Sequence, residues 1–426
     1  MRLCFLADAR SPIARNWIQE CAGLGHDTHV ISSYPCDADA IPGATIHVIP
    51  FAFTSLSKIR HNGAIGDTRS SSTAPSPLSR LLAELRSGKL VKVAEKARNW
   101  LAPLDLYPKI NKVASTIRGI KPDLVHAMRL PFEGFMAALT DPPVPLLISI
   151  WGNDLTLHAE NNAVLGRLTK RALHRTNALH CDCARDLALA ERWGFDLSKP
   201  SKVLPGGGGI QLDVFERGPK DQALLRELNI PASAPVVLNP RGFRPYVRND
   251  VFFQSIPLVL SRRPDAMFLG LGMAGNPVAE SWIVKLGISN CVRLLGSFDR
   301  EQMASLYRLA DVTVSPSNHD GTPNTLIEAM SCGCFPVAGD IESIREWVQS
   351  GVNGVLCDQN DSHSLADGIV EALNNSALRE CARAINQEMI AKRAEFHAVM
   401  SDAIRFYDSI VKAHSAERSR SAGKPA

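Results

Sequence analysis

Short apolar runs recur along the first half of the chain, each closed by Gly, Pro, Asn, Asp or Ser. Arg2–Ala7, Thr28–Ser32, Ala44–Ile49, Leu124–Ala127, Pro145–Ile150 and Ala178–Asp182 have the length and closure of strands. Between them lie helical stretches. Pro12–Leu24 has Ser11 before it as N-cap, proline at the first helical position and Gly25 as its stop. A second series follows: Val236–Asn239, Ala266–Leu271, Val292–Leu295, Val312–Val314 and Phe335–Ala338. Strands alternating with helices predict parallel sheets covered by helices on both faces, an α/β architecture.

Two series predict two domains, and 426 residues exceed one ordinary core. Pro205 and the run Gly206–Gly209 fall between the series and read as the passage from one domain to the other, a hinge with some ligand contact. The expected division is 1–207 and 208–397, with a helix at about 398–414 packing back on the first domain. The tail 415–426, rich in Ser, Arg, Ala and Gly, reads as disordered.

Composition narrows the function class. With 45% hydrophobic and 21% charged residues the chain reads as an ordinary globular enzyme. A net charge of +4, with no interleaving of basic and aromatic residues, argues against nucleic acid. The ten cysteines are scattered, and Cys181/Cys183 and Cys332/Cys334 lack the two-residue gap of a zinc site, so they read as reduced core thiols. No run is long enough to span a bilayer, and Met1–Ala9 reads as a first strand rather than a signal peptide. The expected location is cytoplasmic.

The richest segment is Ser315–Asp340, SPSNHDGTPNTLIEAMSCGCFPVAGD. It reads as the end of a strand, a loop, a helix capped by Thr322 with Pro323 first, and a new strand. Amides of Asn324, Thr325 and Leu326 at that helix start suit a diphosphate. Asp320 in the loop and Glu328 one turn into the helix, with seven residues between, can accept hydrogen bonds from hydroxyls of a sugar and a ribose. A second loop, Asn239–Arg248, follows a predicted strand and carries Arg241, Arg244 and Arg248, whose planar cations also suit a diphosphate. Gly270, Gly272 and Gly275 mimic a dinucleotide loop, but no ribose acid follows, so Gly272 is read in a turn at the base-binding edge. In the first domain, polar groups close two strands: His126 and Arg129 after one, Trp151 and Asp154 after another. Arg10 and Ser11 follow the first strand. Ligands on open parallel sheets lie beyond these carboxyl ends.

The Asp320/Glu328 segment resembles the acidic-x7-acidic signature of retaining glycosyltransferases of the GT-B fold, family 4 in particular. Ile341–Ile369 continues the resemblance, which is strongest over roughly 235–375. It implies two Rossmann-like domains facing across a cleft, with a nucleotide-sugar donor (UDP- or GDP-linked) on the second and a hydroxyl acceptor on the first. It further implies transfer with retention, without metal or resident cofactor, to a cell-envelope glycan or lipid-linked saccharide. Asp320 stands where the family usually has Glu. Arg241 matches the family's phosphate-binding Arg, and Arg244 or Arg248 must replace its Lys. His126 matches the first His of a His-x-His motif whose second position is Met128 here. Asp154 matches the acid of a second motif in which Trp151 replaces a His. A sugar-nucleotide epimerase of the same fold, or a non-catalytic sugar-nucleotide binder, are the alternatives.

Two further patterns complete the reading. Asp37-Ala38-Asp39 matches a metal motif of the other glycosyltransferase fold, but has no partner cluster and is set aside. Leu78–Leu101 forms a basic amphipathic helix pattern, which suits either an anionic membrane surface or packing on the acceptor domain.

Overall fold

The computed structural model describes residues 1–54 and 101–422, with side chains through 419. The basic stretch 78–101, apart from Leu101, lies outside the described residues.

The first sheet comprises β1 (Arg2–Ala7), β2 (Asp27–Ser32), β3 (Ala44–Val48), β4 (Leu124–Ala127), β5 (Leu146–Ile150), β6 (Ala178–Cys181) and β7 (Ser201–Val203), in the order β3-β2-β1-β4-β5-β6-β7. The second comprises β8 (Val236–Asn239), β9 (Met267–Gly270), β10 (Val292–Leu294), β11 (Val312–Ser315), β12 (Phe335–Gly339) and β13 (Val355–Cys357), in the order β10-β9-β8-β11-β12-β13. Every pairing is parallel. Each sheet reverses strand order beside its first strand, and these switch points place the crevices. Strands β7 and β13 escaped the sequence reading because three residues carry no usable period.

Alternation along β1 shows how the core divides. Leu3, Phe5 and Ala7 face the helix Pro12–Gly23, with Trp17 and Ile18. Cys4 and Leu6 face the other way, toward Met136 and Leu168. Two further clusters flank the second sheet, one including Leu238 and Leu326, the other Val237 and Phe252.

The last helix, Phe396–Ala422, belongs to the first sheet's core: Val399, Met400, Ala403, Tyr407 and Ile410 pack with Phe5 and Trp17. It begins where the glycine run passes beneath it. A Cβ at Gly208 would meet the Phe396 ring at 2.8 Å, and one at Gly209 would meet the Ala394 carbonyl at 2.3 Å. With φ values of +90° and +92°, both positions require glycine on two counts.

The tail reading is corrected. Residues 415–422 continue this helix, with Ser415 Oγ donating to the Val411 carbonyl and Arg418 to that of Pro143. Ala, Glu and Arg in that stretch favour helix, and the serine content masked them. Among the described residues no helix is long and apolar enough to cross a membrane, and all ten cysteines are free.

Candidate functional site

At the carboxyl edge of the second sheet, the loop after β8 meets the loop after β11. Arg241 Nη1 donates to Ser317 Oγ at 3.3 Å and to the Asp320 carboxylate. Asp320 is nearly buried, at 13% side-chain exposure, and burial pushes its pKa up while Arg241 pulls it down. Of the three loop arginines, only Arg241 reaches this point. Arg244 is exposed and donates to Tyr246 Oη; Arg248 is forked on Asp250 and also bonded to Asn360. Gly272, at φ +66°, brings its backbone against Gly242 of the arginine loop, at the sheet edge where a base was expected.

The helix start departs from the sequence reading by one residue. The helix runs Asn324–Ser331 with Pro323 as N-cap, and Thr322 does not cap it. Its hydroxyl donates instead to the Asp182 carbonyl in the other domain. The amides of Asn324 and Leu326 donate to the carbonyls of Thr322 and Pro323, at 3.0 and 2.8 Å. Thr325 alone of the three expected amides has no acceptor among the described residues.

Glu328 faces a cavity of about 170 Å³ between the domains, which it shares with Asn324, Arg300, Gly207 and Gly209. Tyr307 Oη donates to its Oε2 at 3.2 Å, and burial pushes its pKa to about 7.

The domains touch where the loop after β11 passes the first sheet. Asp182, after β6, accepts from the amides of Gly152 and Thr322, each at 3.3 Å. A Cβ on Gly152 would lie 2.1 Å from Gly321 N, and one on Gly321 would lie 2.1 Å from Asp182 Oδ2. Glu346 of the second domain sits on the amides of Ala184 and Arg185, at the positive start of the helix Ala184–Arg192. Arg185 donates to the Gly152 carbonyl and to Asp186. Asp182, Cys183 and Asp186 come within 4.8 Å of one another, the spacing of possible metal ligands. Arg185 already neutralises Asp186, and burial pushes both carboxyls and the thiol toward their protonated forms. That chemistry disfavours a cation.

The sequence reading missed Asp182, Arg185 and Glu346. Glu346 lies 161 residues from Arg185 in sequence, and only the docking of the two sheets brings it onto that helix start.

Across the contact, the first sheet opens a cavity of about 330 Å³ beyond β1, β2, β4 and β5. Ser11, Arg129 and Trp151 line it together. Arg10 lies beside it, forked on Asp8 and stacked on Tyr34 at 3.8 Å.

His126 and Asp154 do not serve as expected. His126 is buried at 1% exposure in the core, its Nδ1 on Tyr407 Oη and its Nε2 on Ser149 Oγ, both at 2.7 Å. No ring nitrogen remains for a substrate, so a catalytic role is withdrawn. Its strand residue points into the sheet's covered face rather than off its end. Asp154 is also buried, accepting from Arg129 Nε at 2.9 Å and from the Trp151 amide at 3.0 Å. It positions two cavity residues and does not itself line the cavity.

Residues 221–389 match the model of the family glycosyl transferases group 1. The match covers β8 to β13 and both acidic residues, Asp320 and Glu328. Curated relatives include a D-inositol 3-phosphate glycosyltransferase of Thermobispora bispora, 30% identical over 203 residues, covering 43% of this chain and 47% of the relative. A phosphatidyl-myo-inositol mannosyltransferase of Mycobacterium leprae is 27% identical over 229 residues, covering 53% and 59%. The chain thus spans about half the length of the curated relatives it matches.

Solved structures are similar over nearly the whole chain. A sucrose-phosphate synthase of Thermosynechococcus elongatus superposes with a TM-score of 0.71 at 16% identity, covering 97% of this chain and all of that one. Anabaena HepE, solved in complex with UDP, gives 0.70 at 16% identity, covering 96% and 100%. At such identities the likeness speaks for architecture alone, and the architecture is GT-B.

Proposed function

We propose that this chain is a retaining, metal-independent glycosyltransferase of family 4. It moves a hexosyl group from a nucleoside diphosphate donor, UDP- or GDP-linked, to a hydroxyl of a cell-envelope glycan or lipid-linked saccharide. The observation that carries this reading is the Arg241–Asp320 pair, held over the second sheet beside the start of the Asn324–Ser331 helix. A diphosphate arriving there competes with Asp320 for Arg241. The exchange gives the phosphates a permanent cation and frees the carboxylate for the donor sugar's hydroxyls. The Thr325 amide and the helix dipole add to the same anion site. Glu328 accepts from the ribose. The departing phosphate oxygen takes the acceptor's proton, since no side-chain nucleophile is needed for retention through such an ion pair.

The acceptor enters from the cavity bordered by Trp151, whose neighbour Gly152 touches Gly321 and so brings the two walls together. A cytoplasmic protein resting on the inner face of the membrane would meet both a soluble donor and an anchored acceptor. No resident cofactor is required.

A thermal-shift screen against UDP, GDP, ADP and their sugars tests the donor half, followed by product analysis with and without chelator. Stabilisation by one nucleotide family and transfer that survives chelation support the proposal. Indifference to every nucleotide would remove it.

A further inference from the structure

The acceptor cavity is unusual in how its charges are already spent. Arg10 is forked on Asp8, with Nε–Oδ1 at 3.0 Å and Nη2–Oδ2 at 3.1 Å. Arg129, the cation that lines the cavity, is tied to the fully buried Asp154. His158 Nε2 accepts from Arg129 Nη2 at 3.2 Å, and burial pushes its pKa down, so it stays neutral near pH 7. Two carboxyl groups, Asp8 and Glu133, line the same space. Among the described residues no unpaired cation faces the cavity.

Glu133 is the least expected member. It is 6% exposed, its Oε1 accepts from Ser33 Oγ, and burial pushes its pKa to about 7. It follows Phe132, whose φ of +67° and ψ of −60° are costly for a residue with a side chain. Such strain persists only where the surrounding structure fixes it. Here the kink lies where Phe132 and Glu133 both line the cavity, together with Tyr34 and Trp151.

We propose that this cavity takes an uncharged, hydroxyl-rich ring, a sugar residue of the acceptor, with Glu133 fixing its hydroxyls, and that it does not take a phosphorylated polyol. Carboxyl oxygens accept from sugar hydroxyls, while the aromatic faces of Tyr34, Phe132 and Trp151 cover the ring's C–H surface. A phosphate would bring charge into a space whose one guanidinium is already paired with Asp154 and which two carboxyl groups, Asp8 and Glu133, also line. The inference rests on the reading of this cavity as the acceptor wall.

The test uses the full chain and saturation-transfer NMR, with methyl hexosides and inorganic phosphate as separate probes. UDP and GDP are titrated on the same samples. The expected result is saturation of a hexoside, no competition by phosphate, and at least tenfold weaker hexoside binding by Glu133→Gln with nucleotide binding unchanged. Trp151→Phe, which keeps an aromatic ring but loses the indole's second ring, should weaken hexosides without restoring phosphate binding. Phosphate binding that disappears in Arg129→Gln, or hexoside binding indifferent to both Glu133→Gln and Trp151→Phe, overturns the proposal. Nucleotide bound with no hexoside bound sinks the cavity assignment alone. Hexoside bound with no nucleotide bound sinks the transferase reading alone, and binding of neither sinks both.

Discussion

Arg241 and Asp320 neutralise each other across two loops of the second domain, so the group suited to the donor's phosphates and the group suited to its sugar share one ion pair. The pair keeps a buried carboxylate from standing alone, which would be strongly unfavourable. It also links phosphate binding to release of the carboxylate. Asp320→Asn keeps the size but cannot accept as a carboxylate does. Turnover should fall by about 10² or more while nucleotide affinity stays within about threefold. Steady-state kinetics beside a nucleotide titration separate the two, and an equal loss in both would place Asp320 in binding only.

Glu328→Ala should act differently. It removes charged-acceptor hydrogen bonds to the ribose, about 1.5–3 kcal/mol, and so should raise the donor KM as well as cut turnover. Unchanged donor kinetics would remove Glu328 from the donor site.

The contact of Gly152 with Gly321 leaves no room for a side chain on either residue. Gly152→Ala or Gly321→Ala should force the domains apart at this point, with a larger radius of gyration in small-angle scattering and at least tenfold lower kcat/KM. Asp182→Ala should show a milder version, because two backbone amides lose their acceptor. Normal scattering and normal kinetics in Gly321→Ala would show that this contact plays no part in the active arrangement.

Tyr407 joins the last helix to the first sheet by accepting from Trp17 Nε1 at 2.6 Å and bonding His126 Nδ1 at 2.7 Å. Tyr407→Phe leaves both buried partners unmatched and should cost about 1–3 kcal/mol. Urea unfolding measures this. Activity per folded molecule should remain, as it should for a folded His126 variant, because His126 holds the core and not the substrate.

Glu133 and Glu328 both have folded pKa values of about 7 against an ordinary 4.5. Between about pH 4.5 and 7 the folded protein keeps protons that the unfolded chain releases. Each carboxyl therefore stabilises the fold below that window, and the contribution is lost as pH rises through it. His180, pushed down to about 4 by burial, acts in the opposite sense from pH 4 to 6.5. Arg129 and Asp8 also act on Glu133, Arg129 lowering its pKa and Asp8 raising it. Comparing the native chain with Glu133→Gln cancels what is common. Between pH 5 and 7.5 the variant should lose less stability in urea titrations. The difference should grow by about 1.4 kcal/mol for each pH step of one over which the folded Glu133 holds its proton and the unfolded one does not. An identical loss in both would show that Glu133 is not raised.

Most of the sheet framework was legible because its strands are buried on both faces and read as unbroken apolar runs. Leu124–Ala127 and Val236–Asn239 fell where the residues alone put them. The loop and helix after β11 were legible because their residues are local: Asp320, Thr325 and Glu328 lie within nine residues of sequence. The cavity of the first sheet was legible only in part. Ser11, Arg129 and Trp151 end up in one cavity because each follows a strand, but Glu133 is placed by a backbone kink at Phe132 that no residue type announces. His126 shows the opposite failure. A polar residue at a strand end suggested a cleft, whereas two hydroxyl partners, one of them 281 residues away, bury it.

The central claim is that guanidinium and helix start grip a pyrophosphate in the second domain. Isothermal titration of UDP, GDP and ADP into the full chain and into Arg241→Gln tests it most directly. Binding of at least one nucleoside diphosphate, weakened about 10- to 100-fold in the variant, is the result expected from losing about 1.5–3 kcal/mol of charged hydrogen bonding. Equal affinity in the two proteins, or no binding of any of the three, would contradict the account.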